Sequence, residues 1–148
     1  MRNLQLPRFL ILSNSPSFRQ SVRENIQQYG SMAHCKNAVS AIEKIQKNCY
    51  SVIIIDRRVD KLQFNNLILT IFRKKLSDIT IIFHEEITQA DILIYCRYRI
   101  SNLFFHSCID IFLGPTINKF LYLIQEPGRV VLHDRGISIY LNSNYVIY

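Results

Sequence analysis

The sequence predicts an α/β fold: a five-stranded, doubly wound parallel sheet followed by a short antiparallel β meander. Three observations support this fold class. Strand-length apolar runs alternate with amphipathic helical stripes along residues 9–124. Several of these runs are continuously apolar, which is typical of parallel strands covered on both faces. The end of the chain differs, because short β-rich runs there are separated by turn residues. We therefore expect one domain over residues 1–126 and a β-strand tail over residues 127–148.

Four strands are indicated in the first half of the predicted domain. Phe9–Leu12 is a continuous apolar run, and Ser51–Ile55 contains a β-branched run that leads directly to Asp56. Ser31–Cys35 is a weaker strand, and Ile79–Phe83 is another β-branched run. Since helical stripes separate these runs, the order predicts parallel strands joined by right-handed crossovers.

Three amphipathic helices connect these four strands. Ser15 and Pro16 suit the N-cap and first position of the first helix, and Gly30 ends it. The apolar positions of the three helices are Phe18, Val22, Ile26, Tyr29, Ala38, Ile42, Ile45, Leu67, Ile68, Ile71 and Phe72. Their spacing of three or four residues predicts one buried face on each helix.

The pattern after His84 is less regular. Residues 87–98 fit a helical stripe, although "DILIYC" also alternates as a strand does; we prefer the helix. Ile111–Leu113 is the expected fifth strand, and apolar residues over 117–124 predict a closing helix. The tail "RVVLHDRGISIYLNSNYVIY" has three β-rich runs separated by turn residues at 134–136 and 142–144, which predicts the meander.

The chain is basic, with 18 Lys and Arg against 11 Asp and Glu, a net charge of +7 and a pI near 9.4. This balance favours contact with polyanions, but solubility alone also explains it. The positive charges are not in one block. They form three clusters: Arg57, Arg58 and Lys61; Arg73, Lys74 and Lys75; Arg97 and Arg99.

The four cysteines show no C-x-x-C or paired Cys/His spacing, which gives no support to a zinc site or a catalytic dithiol. His34 and Cys35 are adjacent in a predicted strand, so they would point to opposite faces and would not share a metal. We expect reduced, mostly buried thiols and no metal or other cofactor. The N-terminus lacks the apolar segment of a signal peptide, and no apolar run approaches membrane-spanning length, so we expect a cytoplasmic protein without membrane contact.

Ser13, Asn14 and Asp56 each follow or end a predicted parallel strand, so we expect them to meet at the carboxyl edge of the sheet. Together with the element order, "FLILSNSP", "VIIID" and "DIFLGPTINKFLYLI" resemble the receiver domain of bacterial response regulators, the CheY-like fold. The resemblance covers roughly residues 8–126. It implies that Asp56 occupies the position of the phosphoacceptor.

The chain departs from that family at the positions that support phosphorylation. The resemblance implies an acidic pair where Ser13 and Asn14 stand, and hard cations such as Mg²⁺ require anionic oxygen ligands. It places Phe83 at a Ser or Thr position and Gly114 at a basic position. The pocket is therefore expected to be degenerate. Asp56 would accept local hydrogen bonds or pair with a neighbouring arginine, although weak phosphoacceptor activity stays open.

Two other polar groups offer little chemistry. His84, Glu85 and Glu86 have no nucleophile with a base partner beside them, so we expect a solvated loop. Tyr95 and Tyr98 lie among arginines, a combination suited to nucleic acid, but the helical stripe predicts that Tyr98 packs inward. We do not expect an enzyme or a small-molecule substrate.

The resemblance implies a signalling role that does not need phosphorylation. Receivers of the OmpR/PhoB group pair through the fourth helix, fifth strand and fifth helix, which makes a homodimer the expected partner state. The corresponding dimer-face candidates are Ile94, Tyr98, Ile111 and Phe120. In that group a receiver precedes a small sheet that opens a winged-helix DNA-binding domain, so the tail suggests a transcription regulator with a truncated effector region and contact with DNA or the transcription machinery. Two alternatives stay open: a phosphoaccepting receiver that uses Asp56 with a weakened magnesium site, and a stand-alone protein-interaction module.

Overall fold

A computed structural model of the chain describes residues 6–59, 61–125, 131–134 and 137–140. The helices are α1 (Pro16–Ile26), α2 (Ala38–Lys47), α3 (Lys61–Arg73), α4 (Gln89–Arg97) and α5 (Ile109–Gln125). The strands are β1 (Arg8–Leu12), β2 (Ser31–Cys35), β3 (Val52–Asp56), β4 (Thr80–His84), β5 (Asn102–Phe105), β6 (Val131–Asp134) and β7 (Ile137–Tyr140). Strands β1 to β5 form one parallel sheet in the order β2-β1-β3-β4-β5.

The three central strands are the most buried part of the sheet. Every residue of β3 and β4 is buried, as are Phe9 to Leu12 in β1. Such continuous burial requires helices on both faces, which explains why these strands are apolar throughout rather than alternating. The strands predicted over residues 9–12, 31–35, 51–55 and 79–83 are confirmed within one residue at each end.

Side-chain caps hold the starts of α1 and α4, and the sequence predicted the one at Ser15. Ser15 Oγ accepts from the backbone N–H of Phe18 at the start of α1, with Pro16 at the first helical position. Thr88 and Asp91 form a reciprocal capping box at the start of α4. These caps satisfy backbone donors that would otherwise lack partners.

Gly30 precedes β2 where two backbone segments come close together. A Cβ atom at Gly30 would overlap the backbone carbonyl of Pro7, whose oxygen accepts a 3.0 Å hydrogen bond from the N–H of Ser31. Glycine is therefore required here by the closeness of the backbone.

The fifth strand predicted at Ile111–Leu113 is wrong. These residues belong to α5, and the actual β5 is the four-residue segment Asn102–Phe105. β5 is an edge strand with half-exposed side chains, and its apolar run is only three residues long, Leu103 to Phe105. The resemblance to the receiver family placed the fifth strand directly before Gly114 and Pro115, yet α5 continues through this proline.

The helix preferred over residues 87–98 is confirmed as α4, but its buried face differs from the predicted stripe. Tyr95 is its one buried residue, whereas Ala90 is exposed. The expectation of mostly buried thiols is also wrong, because Cys49 and Cys96 are exposed and only Cys35 is buried among the free cysteines.

The chain divides into two compact units, Met1–Ile117 and Asn118–Tyr148. In the second unit β6 and β7 pair antiparallel, with Val131 opposite Tyr140. The third predicted run of the meander, over residues 145–148, lies outside the described residues. The domain boundary at residue 126 stays a prediction. Among helices of the described ranges, none is long and apolar enough to cross a membrane.

Candidate functional site

The candidate site lies at the carboxyl edge of the parallel sheet in the first unit. Ser13 directly follows β1, Asp56 ends β3, and His106 directly follows β5. Parallel strands present their carboxyl ends at one edge, which brings together residues far apart in the chain. The predicted convergence of Ser13 and Asp56 is observed, with Ser13 Oγ 2.7 Å from Asp56 Oδ2.

The Asp56 carboxylate is buried and heavily hydrogen bonded. Its side chain is only 1% exposed. Oδ1 accepts from the backbone N–H of Arg58 at 3.1 Å, from Arg58 Nε at 2.9 Å, and lies 2.9 Å from His106 Nε2. Oδ2 accepts from Ser13 Oγ at 2.7 Å and from Arg58 Nη2 at 2.9 Å. Both oxygens of this carboxylate are therefore occupied by groups of the protein itself.

These contacts decide the protonation state of Asp56. Burial raises the pKa of the carboxyl group, but the hydrogen bonds from Arg58, Ser13 and His106 outweigh it, so the pKa lies below its ordinary value. The same pairing raises the pKa of Arg58. Asp56 is consequently an anion at neutral pH, and its charge is balanced by the forked guanidinium of Arg58.

Arg58 links this buried group to the surface. Its side chain is 40% exposed, and Nη1 lies 3.3 Å from Oε1 of the exposed Glu85. One end of the guanidinium thus binds the buried carboxylate and the other reaches a solvated one. The basic cluster noted in the sequence is therefore partly used inside the protein rather than presented to a polyanion.

The polar residues after β1 have separate roles. Ser13 is fully buried; its Oγ donates to Asp56 and accepts from the backbone N–H of Ser15 at 3.0 Å. Asn14 is exposed and Ser15 caps α1. Local hydrogen bonds of the two serines therefore satisfy this corner between β1 and α1. Asn14 does not join Ser13 at the carboxylate.

Phe83 occupies space beside the carboxylate without bonding to it. It is opposite Asp56 in the β3–β4 register, and its carbonyl accepts from the N–H of Arg57 at 2.9 Å. Its buried ring packs on Phe18 at 5.7 Å and on His106 at 6.4 Å between centroids. An apolar, water-excluding group therefore stands at this position.

The assignment of Gly114 to the site is wrong, because it depended on the incorrect fifth strand. Gly114 lies inside α5, and the nearest atom to a Cβ built there is Asn25 Oδ1, 3.9 Å away. The residue that reaches Asp56 from the end of β5 is His106, which the sequence analysis missed. The only signal for it was a histidine that follows the short apolar segment "NLFF".

A second buried polar pair lies at the end of β4. His84 is 1% exposed, and its Nε2 lies 2.7 Å from the hydroxyl of Tyr95. Burial lowers the pKa of His84, so its ring is neutral at pH 7. The expected solvated loop is wrong for His84 and correct for Glu85 and Glu86, which are exposed. Tyr95 is buried here and unavailable to nucleic acid.

The residues around Asp56 do not fit Mg²⁺. A hard cation needs several free oxygen ligands, yet both Asp56 oxygens are engaged by Arg58, Ser13 and His106, and among the residues that the structure describes no second carboxylate is bonded to Asp56. The guanidinium of Arg58 already balances the negative charge of Asp56. Across the described ranges, no group of three His, Cys, Asp or Glu residues is arranged to hold a metal.

The dimer-face candidates differ in exposure. Ile94 and Tyr98 are half-buried and pack on the core, so they present little free surface. Ile111 is 64% exposed, and Leu93 on α4 is 66% exposed. Phe120 belongs to the second unit.

No protein-family model matches the sequence, and no curated protein matches it. Solved structures do match. The Francisella response regulator 1452 receiver domain has 17% identity and a TM-score of 0.66, covering 80% of this chain and 98% of that one. The signal receiver domain of an HD domain-containing protein from Pseudomonas fluorescens Pf-5 has 12% identity and a TM-score of 0.71, covering 88% and 98%.

This chain has the fold of a response-regulator receiver domain. The coverage of nearly all of the two matched domains supports this, and at these identities the likeness concerns the fold alone. DrrB from Thermotoga maritima, an OmpR/PhoB homolog, has 13% identity and a TM-score of 0.69, covering 92% of this chain but 60% of that one. The five-stranded, CheY-like architecture predicted from the sequence is confirmed.

Proposed function

We propose that the chain is an atypical receiver that acts in signal transduction through protein contacts and without phosphorylation. The observation that carries this proposal is the occupied Asp56 carboxylate. A carboxylate has about four lone-pair sites, and here the protein supplies five contacts to its two oxygens. A phosphodonor would have to displace the Arg58 guanidinium or His106 before it could reach either oxygen.

Electrostatics supports the same conclusion. Phosphoryl transfer to a carboxylate joins two anions, and a divalent cation normally offsets their repulsion. Ser13 is a neutral donor, and Arg58 already neutralises the single negative charge of Asp56. The Asp56–Arg58–His106 cluster therefore holds the site in one state. This suits a domain that is regulated by its concentration or by binding a partner.

The apolar surface supports a role in protein contacts. Five large apolar side chains on α4, β5 and α5 are at least 44% exposed: Ile92, Leu93, Phe105, Ile111 and Phe112. The proposed contact is a homodimer through this face, in a cytoplasmic regulator of transcription whose β6–β7 pair opens an effector region. The OmpR/PhoB homolog among the similar structures favours this setting.

Phosphorylation is tested with phosphoryl-group analogues. Mg²⁺ with beryllofluoride should leave the melting temperature of the chain unchanged, and acetyl phosphate with Mg²⁺ should add no mass to it, because the carboxylate is occupied. Asp56→Asn is the matched control, and it should respond as the natural chain does. Stoichiometric acetyl phosphate labelling that is lost in Asp56→Asn would instead establish the phosphoaccepting alternative.

The protein contact is tested by sedimentation without a phosphodonor. The chain should sediment as a dimer. Ile111→Asp should give a monomer, because the dimer would bury the new carboxylate without a positively charged partner. Val39→Asp is the control, because Val39 is an apolar residue that is 48% exposed on a different helix, α2. A monomer at all concentrations would count against the homodimer and favour an interaction module that needs another protein.

A further inference from the structure

A cavity of the first unit lies on the side of α1 that faces β2. Its volume is about 350 Å³, and it is lined by Pro16, Arg19, Gln20, Arg23 and His34. Four of the five residues belong to α1, and His34 comes from the edge strand β2. None of them takes part in the Asp56 cluster, so this cavity is a separate feature.

The positive charges of this cavity have no anionic partner. Arg19 and Arg23 are four residues apart and lie on one face of α1, where like charges repel each other. Neither forms an ion pair within the part of the chain that the structure describes. Gln20 Nε2 donates to Glu24 Oε1 at 3.0 Å, and Glu24 is not among the residues that line the cavity.

His34 adds a polar group whose hydrogen bonding is incomplete. Its Nδ1 is buried and has no hydrogen-bond partner among the described residues, so a ligand in the cavity would meet the exposed part of the ring instead. The ring of His34 lines the cavity together with Arg19 and Arg23, and burial, followed by the charges of Arg23 and Arg19, lowers the pKa of His34. Two forked cations and an imidazole therefore converge on one open space along the side of α1.

We propose that this cavity binds the phosphate group of a nucleotide, either free or within a nucleic-acid strand. Guanidinium groups bind phosphate oxygens through paired hydrogen bonds, and a phosphate has enough oxygens to contact both arginines and His34 together. The volume exceeds that of one phosphate ion, which leaves room for an attached sugar. The net charge of +7 would assist the approach of such an anion. This inference does not depend on the proposed signalling mechanism.

The test is titration of the full chain at constant ionic strength, followed by NMR of the histidine rings and backbone amides. The probes are inorganic phosphate, a mononucleotide and a short single-stranded DNA. The test variant is Arg19→Gln with Arg23→Gln. The matched control is Arg73→Gln with Arg97→Gln, which removes the same charge from two exposed arginines on α3 and α4.

The expected result is a saturable shift of the His34 resonances and an affinity for the mononucleotide that falls at least about tenfold in the test variant, as expected for losing charge-assisted contacts. The control should change affinity less than about twofold. If the DNA binds more tightly than the mononucleotide and its affinity also falls in the test variant, nucleic acid is the source of the phosphate. Equal losses in both variants, or no shift at His34 with any probe, would overturn the proposal. Far-UV circular dichroism of each variant verifies that it is folded.

Discussion

Removing the guanidinium of Arg58 should destabilise the protein, because the buried Asp56 carboxylate would lose its charged partner. We consider Arg58→Met, which keeps most of the aliphatic length of the side chain and removes its charge. The change deletes the contacts from Nε and Nη2, each 2.9 Å long, and leaves the backbone N–H of Arg58, Ser13 and His106 in place. Asp56 then keeps its charge inside the protein with fewer donors.

The magnitude follows from burial. Breaking a buried ion pair by removing one partner costs about 3–5 kcal/mol. The Arg58 side chain is 40% exposed, so water can reach the vacated side and the full cost does not apply. Because three donors also stay, we expect the free energy of unfolding to fall by about 2 kcal/mol at pH 7, roughly one charged hydrogen bond.

The assay is urea unfolding followed by circular dichroism, or by tyrosine fluorescence since the chain has eight tyrosines and no tryptophan. The folded-state pKa of Asp56 lies below its unfolded value, so this stabilisation is present above about pH 4 and is lost as the pH falls through the folded pKa. The difference between the natural chain and Arg58→Met should therefore shrink below about pH 4.

Arg97→Met is the control, since Arg97 is exposed at the end of α4 and distant in sequence from Asp56. It should change the free energy of unfolding by less than about 0.5 kcal/mol. Equal effects of the two substitutions, or a loss in Arg58→Met that is the same at pH 7 and pH 3, would refute the view that Arg58 holds the buried carboxylate.

Three further predictions concern other parts of the first unit. Gly30→Ala places a methyl group against the backbone and should cost about 2 kcal/mol in urea unfolding, whereas Gly114→Ala lies inside a helix and adds only an ordinary van der Waals contact with Asn25, so it should be neutral or stabilise by up to about 1 kcal/mol. Equal effects would contradict the placement of both glycines. Burial lowers the folded-state pKa of His84, so as the pH falls the unfolded chain binds a proton at this histidine before the folded chain does. The free energy of unfolding should therefore decline as the pH drops below about 6.5, and it should decline less steeply in His84→Gln. A thiol reagent should modify the exposed Cys49 rapidly and spare Cys35 until the protein unfolds, because burial raises the pKa of the Cys35 thiol to about 12, and mass spectrometry of labelled peptides would check this.

The elements that sequence reasoning predicted correctly are those whose signal is local and strong. β1, β3 and β4 are continuously apolar because helices cover both faces, and the Ser15–Pro16 cap marks α1 directly. β5 was missed because its apolar run is short and the resemblance placed the fifth strand elsewhere, at Ile111–Leu113. Pro115 misled the prediction because the resemblance put the end of a strand before it, whereas a helix continues through it here despite the usual preference of proline.

In the candidate site, too, some residues were predicted from the sequence and others were identified only in the structure. Asp56 and Ser13 were predicted to meet because both stand at carboxyl ends of adjacent parallel strands. Arg58 was one of two arginines that the sequence offered as partners, and only the geometry selects it: its guanidinium spans both oxygens of Asp56, while Arg57 stacks on Phe64 with its Cζ 3.9 Å from the ring centroid. His106 is separated from Asp56 by 50 residues, and no local pattern could connect them.

By itself, the sequence determined the fold class, the parallel order of the first four strands, and the absence of an acidic pair beside Asp56, since these depend on residue types and short-range periodicity. The tertiary structure alone decided what replaces that pair: a guanidinium from the loop after β3 and an imidazole from the end of β5 occupy the carboxylate. The physical reason is that a buried charge must be compensated by whichever donors the fold brings within about 3 Å, and that distance depends on the packing of distant strands.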